Sequence, residues 1–310
     1  MNYPSAHLQW GVRGSAPGEF HFPIGIAINA MDELFVADFY NDRVQQFSTD
    51  GELLGCFAVS PNPGGIATDE SGNIYICHFG VMRMDEEKKP DKVTVWNSRG
   101  DFLHEWGKSG AGAGEFNFPG GLVVGRNERL YVADQTNHRI QVFDTTGRYI
   151  TEWGKYGTKT GEFGGNTSAA SRVGGPQFVA VDSSGHIYTT EGSMGRVQKF
   201  TPEGEFLLAW GDNNTTEGSF GGGWQIDSEE GLQGPIGILA DRYDTIWVSA
   251  AGGRVQQFSN NGEYLRGIGE GKGTGPGQFL VPHGLTMDSR DNLYVVDSFN
   301  HRIQKFHIPR

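Results

Sequence analysis

Short apolar runs alternate with turns rich in Gly, Asn, Asp and Ser along the chain, and this alternation itself repeats. Each repeat reads Pro-x-Gly-apolar, then apolar-Tyr-Val-small-Asp, then Arg-apolar-Gln-x-Phe, and most repeats end in Trp-Gly. Short apolar segments bounded by such turn residues predict β-strands. Four of them in succession predict a blade of four antiparallel strands, which we call a to d from the inside outward.

The pattern occurs six times along the chain. Its strand-a prolines are Pro23, Pro63, Pro119, Pro176, Pro235 and Pro282. Six such sheets arranged radially predict an all-β, six-bladed β-propeller. The sixth copy stops after its third strand, at Phe306, and the missing outer strand matches His7-Leu8-Gln9-Trp10-Gly11. We therefore expect the N-terminal strand to join the C-terminal blade and close the ring, with residues 1–310 forming one propeller domain.

A four-residue motif adds a family resemblance to this count. Asn137-His138-Arg139-Ile140 recurs at 300–303, and Asn41-Asp42-Arg43-Val44 is a close variant. Together with the Pro-x-Gly-Ile and Tyr-Val-x-Asp segments, these motifs resemble the NHL-repeat family over nearly the whole chain. The resemblance implies a six-bladed propeller. It implies no activity, because such propellers serve as protein-binding modules, RNA readers, sensors and, in some relatives, enzymes.

Three copies carry insertions, at residues 80–91, 164–175 and 221–234. They fall in d-to-a or b-to-c loops, which lie on the same face of a propeller. Long loops gathered on one face of a rigid scaffold usually carry a binding site, although neutral lengthening is the alternative. The loops contain Arg83, Arg172 and Trp224, residue types that interfaces favour, and we interpret them as candidate ligand contacts. Trp224 could equally pack its own loop down.

Residues at the channel mouth on that face differ between copies. Strand b ends in Asp38, Asp134 or Asp297 in three copies, and we expect these acids to be structural partners of turn amides and strand-c arginines. The corresponding residues His78 and Glu191 break the pattern. Directly after the strand-a proline, Gln177 and His283 stand where the other copies have Ile or Gly. These four residues are our further candidates for contacting a ligand.

One of the four also suggests metal chemistry. Pro282-His283-Gly284-Leu285 resembles the strand-a motif of the peptide-amidating lyases, related propellers in which histidines after this proline hold zinc in three blades. Only His283 matches here, so that zinc site does not carry over intact. A different divalent ion site, for Zn or Ca, would combine His283 and His78 with a carboxylate such as Asp297, Asp38 or Glu191. The alternative is a histidine that is simply hydrogen-bonded within the fold.

Composition narrows the choice of partners. A net charge of −12 and a pI near 5.2, without a basic stripe, disfavour nucleic acid. Cys56 and Cys77 fit buried free thiols. No signal peptide or membrane-spanning apolar stretch is visible, so we expect a cytoplasmic protein if the sequence is full length, or a secreted or periplasmic one if a signal peptide was removed.

Three classes of function remain open at this point. The favoured hypothesis is a propeller that binds a small molecule, peptide or protein at the decorated face. A metal-dependent lyase or hydrolase is the alternative, and RNA binding, which the acidic charge disfavours, is the third.

Overall fold

The computed structural model describes residues 6–80, 89–164, 174–212, 214, 216–221 and 234–309. Within these residues the chain forms six antiparallel sheets of four strands each. The N-terminal strand is β1 (Leu8–Trp10); blade 1 contains β2 (Pro23–Ile28), β3 (Leu34–Asp38), β4 (Arg43–Phe47) and β5 (Leu53–Ala58), and blade 2 contains β6 (Pro63–Thr68), β7 (Ile74–His78), β8 (Lys92–Trp96) and β9 (Phe102–Trp106). Blade 3 contains β10 (Pro119–Val124), β11 (Arg129–Asp134), β12 (Arg139–Asp144) and β13 (Tyr149–Trp153), and blade 4 contains β14 (Val179–Val181), β15 (Ile187–Glu191), β16 (Arg196–Phe200) and β17 (Phe206–Trp210). Blade 5 contains β18 (Pro235–Ala240), β19 (Ile246–Ala250), β20 (Arg254–Phe258) and β21 (Tyr264–Ile268), and blade 6 contains β22 (Pro282–Met287), β23 (Asn292–Asp297) and β24 (Arg302–His307). Single 3₁₀ turns follow strand b at Phe39–Asn41, Gln135–Asn137, Gly192–Met194 and Ser298–Asn300.

The ring closes as the sequence predicted. Strand β1 pairs antiparallel with β24, with Leu8 opposite Lys305 and Trp10 opposite Ile303. The inner strand β2 packs against β22 as well as against β6, so blade 6 and blade 1 are neighbours. The β1 strand therefore completes the last blade and covers an edge that would otherwise be open for pairing.

Tryptophans at the ends of four outer strands pack against the next blade. The ring of Trp106, at the end of β9, lies 5.7 Å from Phe143 of blade 3. The equivalent Trp10 of blade 6 lies 5.8 Å from Phe47 of blade 1. Because apolar side chains of adjacent blades share a core in this way, neighbouring blades stabilise each other across their interfaces.

The Pro-x-Gly element of the inner strands has a packing function. A Cβ at Gly25 would overlap the carbonyl oxygen of Gly64, and a Cβ at Gly237 would overlap that of His283. Neighbouring inner strands thus approach each other closely at this level, and glycine permits the approach.

Blade 4 departs from this rule and from our expectation of a strand beginning at Pro176. Its inner strand starts only at Val179, because Phe178 replaces the glycine. The Phe178 amide donates to the Thr190 hydroxyl at 3.1 Å, and its ring packs against apolar residues of other blades, among them Ile24 and Ile236. The Phe178 side chain thus enters the channel, above a cavity of about 170 Å³ enclosed by the inner strands.

The prediction that both cysteines are buried was wrong for one of them. Cys77 on β7 is buried in the core between blades 2 and 3. Cys56 is exposed because it lies on the outer strand β5, where exposed and partly buried residues alternate.

Candidate functional site at the channel mouth

The inner strands begin and the second strands end on one face, which we call the mouth face. Pro23 pairs with Asp38 in blade 1, and Pro282 pairs with Asp297 in blade 6. The strand-b termini and the residues after the strand-a prolines therefore lie at the same end of the channel. We call the opposite end, formed by the a-to-b and c-to-d turns, the turn face.

The acids at the ends of β3 and β23 are fully used by the fold. Asp297 accepts hydrogen bonds from the Leu280 amide (2.7 Å) and from the side chains of Asn300 (2.8 Å), Arg302 (2.8 Å) and Gln304 (3.0 Å). Asp38 has the same four kinds of donor. A carboxylate has about four lone-pair sites, so a metal ion bound by Asp38 or by Asp297 would have to displace these donors.

The arginine of this arrangement extends it to the preceding loop. Arg43 donates to the carbonyls of Ser15 (2.7 Å), Ala16 (2.9 Å) and Glu19 (2.7 Å) as well as to Asp38. The buried pair therefore fixes the chain segment that leads into strand a. This geometry supports the expected structural role of the acids at this position.

Glu191 takes the place of these aspartates at the end of strand b in blade 4, and its side chain is one methylene group longer. Its carboxylate accepts from the Gly164 amide (2.8 Å), Arg196 (2.8 Å) and Gln198 (2.6 Å), and the side chain is completely buried. Burial raises the pKa of Glu191, and the bond from Arg196 opposes that shift. The structure thus places this candidate within the scaffold rather than at the open rim.

His78 is held between two neighbours in blade 2. Nδ1 donates to the Pro61 carbonyl (3.1 Å), and Nε2 accepts from the Thr94 hydroxyl (2.8 Å), which in turn accepts from Trp96 Nε1 (2.8 Å). Burial lowers the pKa of His78 to about 4, so the ring is neutral at neutral pH. Both ring nitrogens have partners in the fold.

His283 keeps one nitrogen available. Nδ1 lies 3.1 Å from the Val281 carbonyl and 2.8 Å from the Ser298 hydroxyl, whereas Nε2 makes no hydrogen bond with the described part of the chain. The ring is 5.7 Å from that of Phe22 in an edge-to-face arrangement. Burial lowers the pKa of His283 to about 4.

Gln177 offers the second unfilled polar atom at the mouth. Its backbone is fixed, because the amide donates to Thr190 (2.8 Å) and the carbonyl accepts from Gly121 (2.7 Å). Gln177 is 4% exposed, and its Oε1 has no hydrogen-bond partner among the described residues. A buried acceptor without a partner is costly, so a ligand or water donor at this point would be favoured.

The remaining candidates do not gather into a metal site. Among the described residues, no three His, Cys, Asp or Glu side chains lie in an arrangement that would hold a metal ion. His78 and His283 belong to blades 2 and 6, which blade 1 separates. Arg83, Arg172 and Trp224 lie outside the described residues, and their assignment as ligand contacts stays a prediction, as does the metal site.

Sequence reasoning missed a group of aromatic side chains on the mouth face. Phe79 and Phe118 stack in parallel with ring centroids 4.5 Å apart. Phe22 meets Phe299 edge-on at 5.0 Å, and the ring of Tyr40 is tilted against that of Phe22 at 5.6 Å. We call these five residues the aromatic mouth. Each lies directly before a strand-a proline or shortly after the end of strand b, and that shared position was the available signal.

Comparisons with known proteins agree with this architecture. The model of the NHL repeat family matches residues 20–47, 116–143, 174–200 and 279–306. These are blades 1, 3, 4 and 6, the blades in which strand b ends in an acid paired with arginine. The chain therefore contains four matched NHL repeats within a six-bladed β-propeller.

Similar sequences and structures extend the comparison without fixing an activity. Over 41% of its own length, this chain is 26% identical to Protein brain tumor of Drosophila melanogaster. Over 43% of its own length, it is 32% identical to peptidyl-glycine alpha-amidating monooxygenase B of Xenopus laevis. The matches cover only 12% and 15% of those proteins. A gluconolactonase from Xanthomonas campestris (TM-score 0.61, 15% identity, 100% of this chain and 98% of that one) and a virginiamycin B lyase from Staphylococcus aureus (0.59, 13%, 97% and 99%) share the fold.

Within the described residues, no helix has the length and apolar character that crossing a bilayer requires.

Proposed function

We propose that this propeller binds a protein or peptide partner through the aromatic mouth. The observation that carries the proposal is one exposed aromatic ring supported by partly buried ones: Phe299 is 45% exposed, and it contacts the partly buried Phe22. Aromatic side chains are enriched in the centres of protein interfaces, where a few of them supply most of the binding energy.

One polar atom supports the same location. His283 Nε2 lacks a partner within the described chain, and His283 follows the strand-a proline at the mouth. This atom would give a partner a directional hydrogen bond beside the apolar contacts, whereas Gln177 Oε1 is inaccessible from the surface. The entry of Phe178 into the channel argues for a partner that lies across the mouth rather than one that passes through it.

The test compares an exposed residue of the mouth with an equally exposed one elsewhere. Phe299→Asp is matched by Leu265→Asp, since Leu265 is 49% exposed on the outer strand β21. Immobilised wild type and both variants would be exposed to nuclease-treated extract of the source cells, and the retained proteins quantified. We expect retention of at least one protein to fall about tenfold or more with Phe299→Asp, the effect of losing about 1.4 kcal/mol, and to persist with Leu265→Asp. Equal retention by all three proteins would contradict the proposal.

The metal-dependent alternative is tested on the same preparations. Metal analysis of the purified wild type, His283→Ala and His78→Ala would reveal stoichiometric metal that depends on these histidines if the enzyme hypothesis holds. The partner-binding proposal expects no such dependence.

A further inference from the structure

A buried lysine lies at two of the blade interfaces near the turn face. In blade 6, Lys305 is 5% exposed, and its Nζ donates to the carbonyl of Thr49 in blade 1 at 2.8 Å. The same Nζ lies 5.6 Å from the ring centroid of Tyr294, whose hydroxyl donates to Asp288 at 2.9 Å. The same Nζ also lies 3.4 Å from Asp50 Oδ1 of blade 1, so two acids, an aromatic ring and a cation form one compensated unit between two blades.

Blade 4 repeats the unit. Lys199 Nζ donates to the Asn260 carbonyl of blade 5 at 3.1 Å, lies 5.1 Å from the Tyr188 ring and is 4.0 Å from Asp182. The Tyr188 hydroxyl donates to Asp182 at 2.9 Å. The position of the lysine on strand c is therefore equivalent in blades 4 and 6.

Blade 5 builds the unit from different residues. The guanidinium of Arg266 lies 5.8 Å from the Trp247 ring, and Trp247 Nε1 donates to Asp241 at 3.0 Å. Blades 1 and 3 have neither the acid nor the cation. Their corresponding residues are Asn29, Phe35 and Gln46 in blade 1 and Gly125, Tyr131 and Val142 in blade 3.

Blade 2 has the acid and the ring but no lysine. The Tyr75 hydroxyl donates to Asp69 at 3.0 Å, as in blades 4 and 6, but the strand-c residue is Val95. A cavity of about 380 Å³ lies here between blades 2 and 3, and its lining includes these three residues together with His104 and Thr145. The missing lysine side chain therefore coincides with an open volume.

One further polar atom of this cavity lacks a partner, and a backbone carbonyl lies where the lysines of other blades donate. His104 Nε2 is inaccessible to solvent and makes no hydrogen bond within the described chain. Thr145 occupies the place in its c-to-d turn that Thr49 and Asn260 occupy in theirs, and the carbonyls of those two residues accept from the lysines. The charged residues lining the cavity are Asp69, Glu70, Glu128 and Arg126, which leaves an excess of negative charge.

We propose that the cavity between blades 2 and 3 binds a small primary ammonium ion in the place that Lys305 and Lys199 fill in their blades. The ligand ammonium lies over the face of Tyr75 and near Asp69, and it donates to the Thr145 carbonyl. The alkyl chain packs against Val95. The single desolvated ion pair and cation–π contact predict a Kd on the order of millimolar.

The experiment uses n-butylammonium chloride, which reproduces the lysine side chain beyond Cα, and n-butanol as its neutral counterpart. Chemical shifts of blade 2 and blade 3 amides would be followed at constant ionic strength in wild type, Val95→Lys and Asp69→Asn. We expect saturable binding of the ammonium but not the alcohol by wild type. Affinity should fall about tenfold or more in both variants, the effect of about 1.4 kcal/mol.

A reciprocal variant keeps the test decisive if Val95→Lys does not fold. Lys305→Val removes the cation of blade 6 and should create a second butylammonium site, seen as new shifts at the interface of blades 6 and 1. Absence of saturable binding to wild type would overturn the proposal, and this is also the result expected if the exposed Arg126 fills the cavity. Unchanged affinity in Asp69→Asn would overturn it as well.

Discussion

Blades 2 and 6 have the same strand order but compensate their buried polar groups differently. At the mouth face of blade 6, Asp297 is paired with Arg302, whereas blade 2 has His78 bonded to Thr94. At the turn face of blade 6, Lys305 lies over its tyrosine, whereas blade 2 has Val95 beside a cavity. A buried charge that has all its partners, as in blade 6, therefore belongs to the scaffold. A blade that lacks one of these partners, as blade 2 does, is where we infer that a ligand binds.

The largest expected effect concerns the ion pair of blade 6. Arg302→Ala leaves Asp297 buried with its charge uncompensated and should lower the free energy of unfolding by about 3–5 kcal/mol. The matched change in blade 2 is Lys92→Ala, which breaks a pair with Glu105, a residue whose side chain is 46% exposed. That variant should lose less than about 1 kcal/mol. Urea unfolding of both variants measures the difference, and equal losses would contradict the distinction between the two blades.

The second effect is a pH dependence from His78 and His283. Their pKa values are about 4 in the folded protein, while unfolded imidazoles titrate near 6.5. Between these pH values the unfolded state binds more protons, so stability should fall as the pH is lowered from about 6.5 to 4 and should be constant above that window. Each histidine should account for a loss of about 2 kcal/mol between pH 7 and pH 5.

Single-site variants assign this loss. His78→Gln and His283→Gln should each reduce the change in unfolding free energy between pH 7 and pH 5, whereas His307→Gln, which alters an exposed residue, should leave it as in wild type. A wild type equally stable at both pH values would show that the two imidazoles are not held neutral by burial.

The smallest effect separates binding from folding. Phe299→Asp changes a residue that is 45% exposed, so its unfolding free energy should stay within about 0.5 kcal/mol of wild type. Denaturation of this variant beside Leu265→Asp checks that any lost partner reflects the surface rather than the fold. A loss of several kcal/mol would assign Phe299 to the core of the blade.

The fold could be predicted from the sequence because each blade repeats the same local pattern. The ring closure by β1 followed from counting strands. The structural role of Asp38 and Asp297 followed from the arginine that begins the neighbouring strand c. The start of β14 could not be predicted, since it depends on Phe178 meeting residues of distant blades. Packing between segments far apart in sequence leaves no periodic signal.

The candidate site was predicted only in part for the same reason. His283 and Gln177 stood out as departures from the repeat, and the structure places both at the mouth with an unfilled polar atom. The aromatic mouth was missed because its rings come from loops of four blades and meet only in the folded ring. The cavity beside Val95 was equally invisible, because a valine in a strand is an ordinary residue.

The central claim is that partners bind at the aromatic mouth, and site-specific photocrosslinking tests it most directly. A benzoylphenylalanine would be placed at Phe299 in one protein and at Leu265 in another, and both would be irradiated in the source cells. We predict a crosslinked partner from position 299 and none from position 265. Adducts from position 265 alone, or the same adducts from both positions, would contradict the claim.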